Sequence, residues 1–186
     1  MEVVNIPNTL TLLRLIAVPI FAVLLLDERN LEALAVFVAA GVTDALDGAI
    51  ARLTNTKTTL GSYLDPTADK LLLLTAFLAL GAAGEVPTWL VAIVASRDVV
   101  VVLGYVLLFV MTSETMEIRP SAFGKLATFL QLASITLVLF TIAEQAPVVP
   151  AVASGLFYVT GLVTTAAGAQ YVYRGLEWLQ TRDTAS

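Results

Sequence analysis

The chain contains no cysteine and no histidine in its 186 residues. Disulfides, thiol nucleophiles, and imidazole acid–base or metal chemistry are therefore excluded, and any reaction falls to carboxylates, basic groups and hydroxyls. Charge is also scarce. Only 13% of the residues are charged and 58% are hydrophobic, whereas a soluble domain is about a quarter charged. The composition is that of an all-α integral membrane protein. Its apolar runs form six blocks, Thr9–Leu26, Leu31–Leu53, Tyr63–Ala83, Pro87–Met111, Ala122–Ala143 and Val148–Tyr171. Each is near the ~20 residues a spanning helix needs. The connections are too short to form a second domain, so a single domain over residues 1–186 is expected. Met1–Asn8 carries no basic residue and Arg14 interrupts the first run, so that run is expected to remain as the first helix.

The net charge of −5 conceals where the ten basic residues sit. Lys57 and Arg119 follow the second and fourth blocks, Arg52 ends the second, and Arg174 and Arg182 lie in the tail. The opposite connections offer Arg29 among Asp27, Glu28 and Glu32, then Glu85 and Glu144. By the positive-inside rule both termini and the Arg52–Gly61 turn are expected in the cytoplasm. Asn8 suits a helix N-cap before Thr9. Arg14 has two readings, a side chain snorkelling to the surface or a phosphate ligand.

Four carboxylates interrupt the second and third blocks. Asp44, Asp47, Gly48 and Ala51 recur at one-turn spacing and share a helical face. Asp65 and Asp69 share another, and Pro66 makes Asp65 a candidate N-cap or kink. A short polar turn separates the two helices, so the acids are expected to converge near its cytoplasmic end. Four unscreened carboxylates would repel and force protonation. Two hard cations with all-oxygen ligation remove that difficulty, and the ligand type points to Mg²⁺ or Mn²⁺. Two such ions facing a basic rim suit displacement at phosphorus. The expected architecture is a six-transmembrane-helix bundle with a polar cavity open to the cytoplasm.

Further cations lie where such a rim could form. Arg97-Asp98 falls midway along the fourth block, and Arg119 and Lys125 flank the start of the fifth. At that depth ionisable groups default to a functional reading, although a structural ion pair is the competing one for Arg97. Lys70 adjoins Asp69. Gly155, Gly161 and Gly168 in the sixth block indicate only helix packing.

The pattern Asp-x-x-Asp-Gly-x-x-Ala-Arg, eight residues, Gly, three, Asp, three, Asp is met by Asp44, Asp47, Gly48, Ala51, Arg52, Gly61, Asp65 and Asp69. It resembles the signature of the CDP-alcohol phosphotransferases, membrane enzymes of phospholipid synthesis. The resemblance implies a six-helix bundle, commonly a homodimer, that binds a CDP-linked donor at two metals and releases CMP. It further implies Asp44, Asp47 and Asp65 as metal ligands, and Asp69 as metal neighbour and general base. Asn8, Gly48, Ala51, Arg52 and Gly61 would serve the CDP donor. Lys70, Arg97, Arg119 and Lys125 would bind the acceptor's phosphate. Asn5-Ile6-Pro7-Asn8 with Leu10-Thr11 and Arg14 resembles the members whose acceptors are glycerol phosphates. Gly61-Ser62-x-Leu64-Asp65-Pro66-x-Ala68-Asp69-Lys70 and Ser96-Arg97-Asp98 look most like CMP-forming cardiolipin synthases. Phosphatidylglycerophosphate synthases more often show Arg-Glu at the latter place.

These readings converge on phosphatidyl transfer from CDP-diacylglycerol to phosphatidylglycerol, with glycerol 3-phosphate as the alternative acceptor. The partners expected are these two substrates, the bilayer and a second copy of the chain, with no nucleic acid. Ala122, Gly124 and Ala127 could line a lateral opening for a lipid acceptor or simply pack. A small ion or proton carrier would also hold intramembrane acids, but it gives no reason for Gly48, Ala51, Arg52 and Gly61 to accompany them. A phospholipase-D-type route through phosphohistidine is excluded by the missing histidine.

Overall fold

The computed structural model describes residues 6–54, 59–112, 121–145 and 150–183, with side chains described for 12–43, 70–108, 110, 121–145 and 151–181. All elements among these residues are helices: α1 Ile6–Leu26, α2 Asn30–Thr54, α3 Thr59–Ala82, α4 Thr88–Thr112, α5 Ala122–Glu144 and α6 Pro150–Asp183. Among the described residues three stretches are long and apolar enough to cross a membrane, Thr88–Leu108, Ala122–Glu144 and Ala151–Thr181. The protein is a membrane protein. Residues such as Val102, Leu103, Val106 and Leu107 on α4 are exposed, which suits a hydrocarbon solvent and would be a liability in water.

Several expected boundaries are corrected. α1 begins at Ile6, so Asn8 lies inside its first turn and is not the N-cap. Pro7 belongs to that turn, where its missing N–H costs nothing. α3 begins at Thr59, so Asp65 and Pro66 lie within a helix already under way and Asp65 is no cap. Arg52 and Gly61, expected in a turn, lie on helices, because α2 runs to Thr54 and α3 begins at Thr59. The sixth helix passes Tyr171 and continues to Asp183. Loss of hydrophobicity ends a membrane span, but Leu176, Glu177, Leu179 and Gln180 are good helix formers and carry the helix onward. Its 34 residues correspond to about 50 Å, well beyond a ~30 Å hydrocarbon core.

The helix ends are closed locally. At the end of α3, Gly84 takes φ +81°, its N–H donates to Gly81 O (3.1 Å) and Glu85 N–H to Leu80 O (2.9 Å). This is a Schellman closure that only a left-handed residue permits. The end of α1 repeats it with Glu28 at φ 58°, where Glu28 N–H donates to Leu25 O and Arg29 N–H to Leu24 O. At the other end of α5, Ser121 is an N-cap: its Oγ accepts from Gly124 N–H at 2.9 Å.

The chain divides into two compact units, Met1–Val86 with Ile135–Val148, and Pro87–Ser134 with Val149–Ser186. In the first unit α1 packs against both α2 and α3. Phe21 and Phe37 meet there with ring centroids 5.7 Å apart, and Ala33, Ala76, Phe77 and Leu80 are fully buried.

In the second unit α4 packs against α6. A Cβ at Gly161 would meet Trp89 and Leu90, one at Gly168 would meet Arg97, one at Gly104 would meet Tyr171, and one at Gly175 would meet Leu108. Partner numbers rise together, so the two helices run parallel. Gly161, Gly168 and Gly175 recur every seven residues and let the backbones approach. The packing read from Gly161 and Gly168 is present, whereas Gly155 faces open space. α5 runs antiparallel to α6 and is tied to it by two buried polar contacts, Gln131 Nε2 donating to Thr164 Oγ1 at 3.0 Å and Ser134 Oγ with Thr160 Oγ1 at 2.9 Å. Such bonds are costly to leave unmade where no water competes.

Gly161 gives the first test. An added methyl would stand 2.6 Å from Trp89 Cζ3, and that ring is stacked on Tyr158 at 5.3 Å. Gly161→Ala is expected to cost about 1–3 kcal/mol by overpacking, read as a lower unfolding temperature with altered tryptophan emission. An unchanged unfolding temperature would show that the Trp89 ring swings aside freely.

Candidate active site

α2 carries Asp44, Asp47, Gly48, Ala51 and Arg52, and α3 carries Gly61, Asp65, Asp69 and Lys70. Of these only Lys70 has a described side chain, which is half-buried. The side chains of the four aspartates, of Gly48, Ala51, Arg52 and Gly61, and of Asn8 in the first turn of α1 lie outside the described residues, as does all of Arg119.

The backbone nevertheless sets levels along the helices. Asp47 stands seven residues before the end of α2 and Asp65 six after the start of α3; Asp44 and Asp69 each stand ten away. Four residues between the helices are enough to reverse the chain and far too few to recross a bilayer. Both pairs therefore come to matching depths, roughly 10 and 15 Å from the helix ends at 1.5 Å per residue. Two one-turn aspartate pairs on consecutive helices offer hard oxygen donors, the ligand type that divalent cations take.

α1 adds a third component. The Phe21–Phe37 contact fixes the antiparallel register of α1 and α2, and carried along the helices it sets Arg14 at the level of Asp44. Arg14 is only 2% exposed. It does not snorkel to the surface: a guanidinium in the interior of the first unit, at the level of Asp44, fits the other reading, a phosphate ligand.

In the second unit Arg97 lies on the inward stripe of α4 with the buried Leu90 and Val94. It pairs with its neighbour, Nη1 to Asp98 Oδ1 at 2.6 Å, with both side chains more than four-fifths buried. Gly168 on α6 makes room for its stem, since a Cβ there would stand 3.4 Å from Arg97 Cγ, and Gly124 on α5 lies beside its Nη2 at 3.8 Å by the same measure. Arg97 thus joins three helices. Lys125, next to Gly124, is exposed in the first turn of α5. Of the three small residues at that end, Ala122 is exposed, Ala127 is fully buried and Gly124 serves Arg97, so Ala127 packs and does not line an opening. Tyr171, absent from the sequence reading, lies on α6 one turn beyond Gly168, with its ring beside Gly104 of α4. Its only signal in the sequence is a hydroxyl-bearing residue three positions after Gly168, one turn on along the same face.

Residues 4–167 match the CDP-alcohol phosphatidyltransferase family. The chain is 32% identical over 192 residues to a protein of Mycobacterium tuberculosis named "Probable phosphatidylglycerophosphate synthase", covering 100% of this chain and 88% of that one. It is 33% identical over 186 residues to a Drosophila melanogaster protein named "Probable cardiolipin synthase (CMP-forming)", covering 92% of this chain and 58% of the relative. The cardiolipin synthase (CMP-forming) of Rattus norvegicus is 43% identical over 99 residues, 53% of this chain and 33% of its own length.

Proposed function

Because the chain belongs to the CDP-alcohol phosphatidyltransferase family, we propose that it transfers the phosphatidyl group of CDP-diacylglycerol to phosphatidylglycerol, forming cardiolipin and CMP. The observation that carries this is the eight-position acid pattern seated on α2 and α3 with its two aspartate pairs at matched depths. Members of the family generally use a divalent metal, and the carboxylate set fits one. Asp44, Asp47 and Asp65, with Asp69 beside them, would hold two ions, Mg²⁺ or Mn²⁺, which when bound neutralise the diphosphate and the departing CMP.

The chain's own residues do the rest. Gly48, Ala51 and Gly61 leave room for the cytidine, Asn8 lies at the same end of α1, and Arg52 meets the diphosphate. Asp69 takes the proton of the acceptor hydroxyl. The freed oxygen attacks the phosphatidyl phosphorus, a new P–O ester bond forms, and the P–O bond to CMP breaks, with CMP keeping the bridging oxygen. Arg97, with Lys70, Lys125 and Arg119, holds the acceptor's phosphate so that its hydroxyl reaches that phosphorus.

In this reading all six helices span the bilayer, the two compact units form one transferase domain because α5 belongs to both, and the cavity and termini face the cytoplasm. Arg29, the basic residue of the opposite connection, is paired with Glu32, whereas Arg52, Lys57, Arg119, Arg174 and Arg182 all belong to the other side. A second copy of the chain is the partner.

Phosphatidylglycerol is favoured by Arg97-Asp98 and by the Gly61-Ser62 sequence. Glycerol 3-phosphate is the second reading, supported by the name of the mycobacterial relative that aligns over the whole chain. Both acceptors offer a primary hydroxyl with a phosphate at the far carbon. Purified protein given CDP-diacylglycerol with phosphatidylglycerol is expected to release CMP and form cardiolipin, and with glycerol 3-phosphate alone to form little lipid. Efficient formation of phosphatidylglycerophosphate would promote the second reading. CMP release with neither acceptor would overturn both.

A further inference from the structure

Arg14 carries its charge into the interior of the first unit, where it is 2% exposed. Guanidinium groups stay protonated in proteins, and a buried charge left uncompensated is strongly destabilising. A substrate phosphate comes and goes with each turnover, so the countercharge of Arg14 has to belong to the chain. Five N–H donors are enough to serve a carboxylate and a phosphate together.

The helices packed on α1 are α2 and α3. Phe21 of α1 meets Phe37 of α2, and each lies on a buried stripe, Phe21 with Leu24 and Phe37 with Ala33 and Ala40. Seven residues are two helical turns and return a helix to within about 20° of the same face. Arg14 stands seven before Phe21 and Asp44 seven after Phe37. Because α1 and α2 are antiparallel, the two positions fall at one level on facing stripes. The acids at the other end of α1, Asp27, Glu28 and Glu32, are about 20 Å away along its axis, and Glu32 is taken by Arg29.

We infer that Arg14 is the fixed countercharge of the acid set, paired with Asp44 and positioning it. The inference rests on the transferase reading only for what Asp44 then does, which is to hold a divalent cation. Four carboxylates without metal repel one another. Arg14 cancels one of their charges and so stabilises the metal-free site. An arriving ion then meets a set already partly neutralised and binds less tightly than it otherwise would.

The full-length chain in lipid nanodiscs would be titrated calorimetrically with Mn²⁺, and its unfolding followed in EDTA and in saturating Mg²⁺. Arg14→Met keeps the apolar stem and removes the charge. Its unfolding temperature should fall by several degrees in EDTA and by much less in Mg²⁺. Its Mn²⁺ affinity should rise by at least about tenfold, the scale of one unit charge removed near a dication. The two results are linked, since a variant whose metal-free state is the more destabilised must bind metal more tightly. Arg14→Lys keeps the charge and should return Mn²⁺ affinity close to wild type. The pair itself is read from a double-mutant cycle in EDTA, where Arg14→Met with Asp44→Asn should lose less stability than the two single variants together. Should Arg14→Met fail to fold without metal, folding of that double variant carries the same result.

Equal losses of stability with and without Mg²⁺, together with unchanged Mn²⁺ affinity, would make Arg14 a packing residue and overturn the inference. Coupling to Asp69→Asn in place of Asp44→Asn would overturn the pairing. The transferase reading fails separately: if wild type binds no Mn²⁺ and releases no CMP while the coupling persists in EDTA, the pair stands and the reaction does not. Mn²⁺ binding and CMP release by wild type with no coupling between Arg14 and Asp44 is the converse.

Discussion

Replacing Asp44, Asp47 or Asp65 by asparagine is expected to reduce CMP release by on the order of 1000-fold at low Mg²⁺, with donor binding weakened in parallel. Each substitution keeps the side-chain size and removes one negative oxygen from a set of donors that α2 and α3 bring to matched depths. Metal stabilisation of developing phosphoryl charge is worth several kcal/mol, and each ~1.4 kcal/mol lost is a tenfold fall in rate. Because the same carboxylates would also hold the metal on which the donor's diphosphate rests, KM for CDP-diacylglycerol should rise as kcat falls. Raising Mg²⁺ should restore part of the loss. The measurement is CMP release across a Mg²⁺ titration for each variant. Normal turnover at low Mg²⁺ by any one of the three would remove that residue from the ligand set.

Asp69→Asn should separate chemistry from binding. A general base acts on the proton that leaves in the transition state, and such groups typically contribute ~100–10,000-fold. The expected result is therefore a fall of that size in kcat, with CDP-diacylglycerol affinity nearly unchanged, the signature of an interaction made only in the transition state. Asp69 stands ten residues into α3, the further of its two acids from the α2–α3 connection, as suits a group that meets the acceptor rather than the nucleotide. Equilibrium donor binding beside single-turnover kinetics decides the matter. Loss of donor affinity in step with turnover would make Asp69 a metal ligand first.

The two experiments test residues read entirely from sequence, and the reason they could be read there is geometric. A helix repeats every 3.6 residues, so acids three or four apart share a face whatever surrounds them. A polar gap too short to recross a bilayer forces the two helices to turn back, so Asp44, Asp47, Asp65 and Asp69 were bound to reach similar depths once both segments were helical. The absence of cysteine and histidine restricted the chemistry before any fold was known. Helix ends were less legible. Asn8 and Asp65 are good caps by type, yet α1 and α3 start earlier, at Ile6 and Thr59, because capping preference is worth only about 1 kcal/mol and tertiary packing overrides it. α6 outran its apolar run because hydropathy measures a solvent and not a backbone conformation.

What the sequence by itself determined, then, is the helical class, the membrane setting, the family and the identity and spacing of the acids, since all of these follow from periodicity and residue chemistry along one chain. What only the tertiary structure decided is which residues from distant segments meet. Arg14 could have lain along the surface, and it is buried because α1 packs on both α2 and α3. Arg97 could have been a mere ion pair with Asp98. It is joined by Gly124 from α5 and by Gly168 from α6 because the glycines of α4 and α6 let those two helices run parallel and close. A side chain's partners across helices depend on register and crossing, which no local pattern encodes.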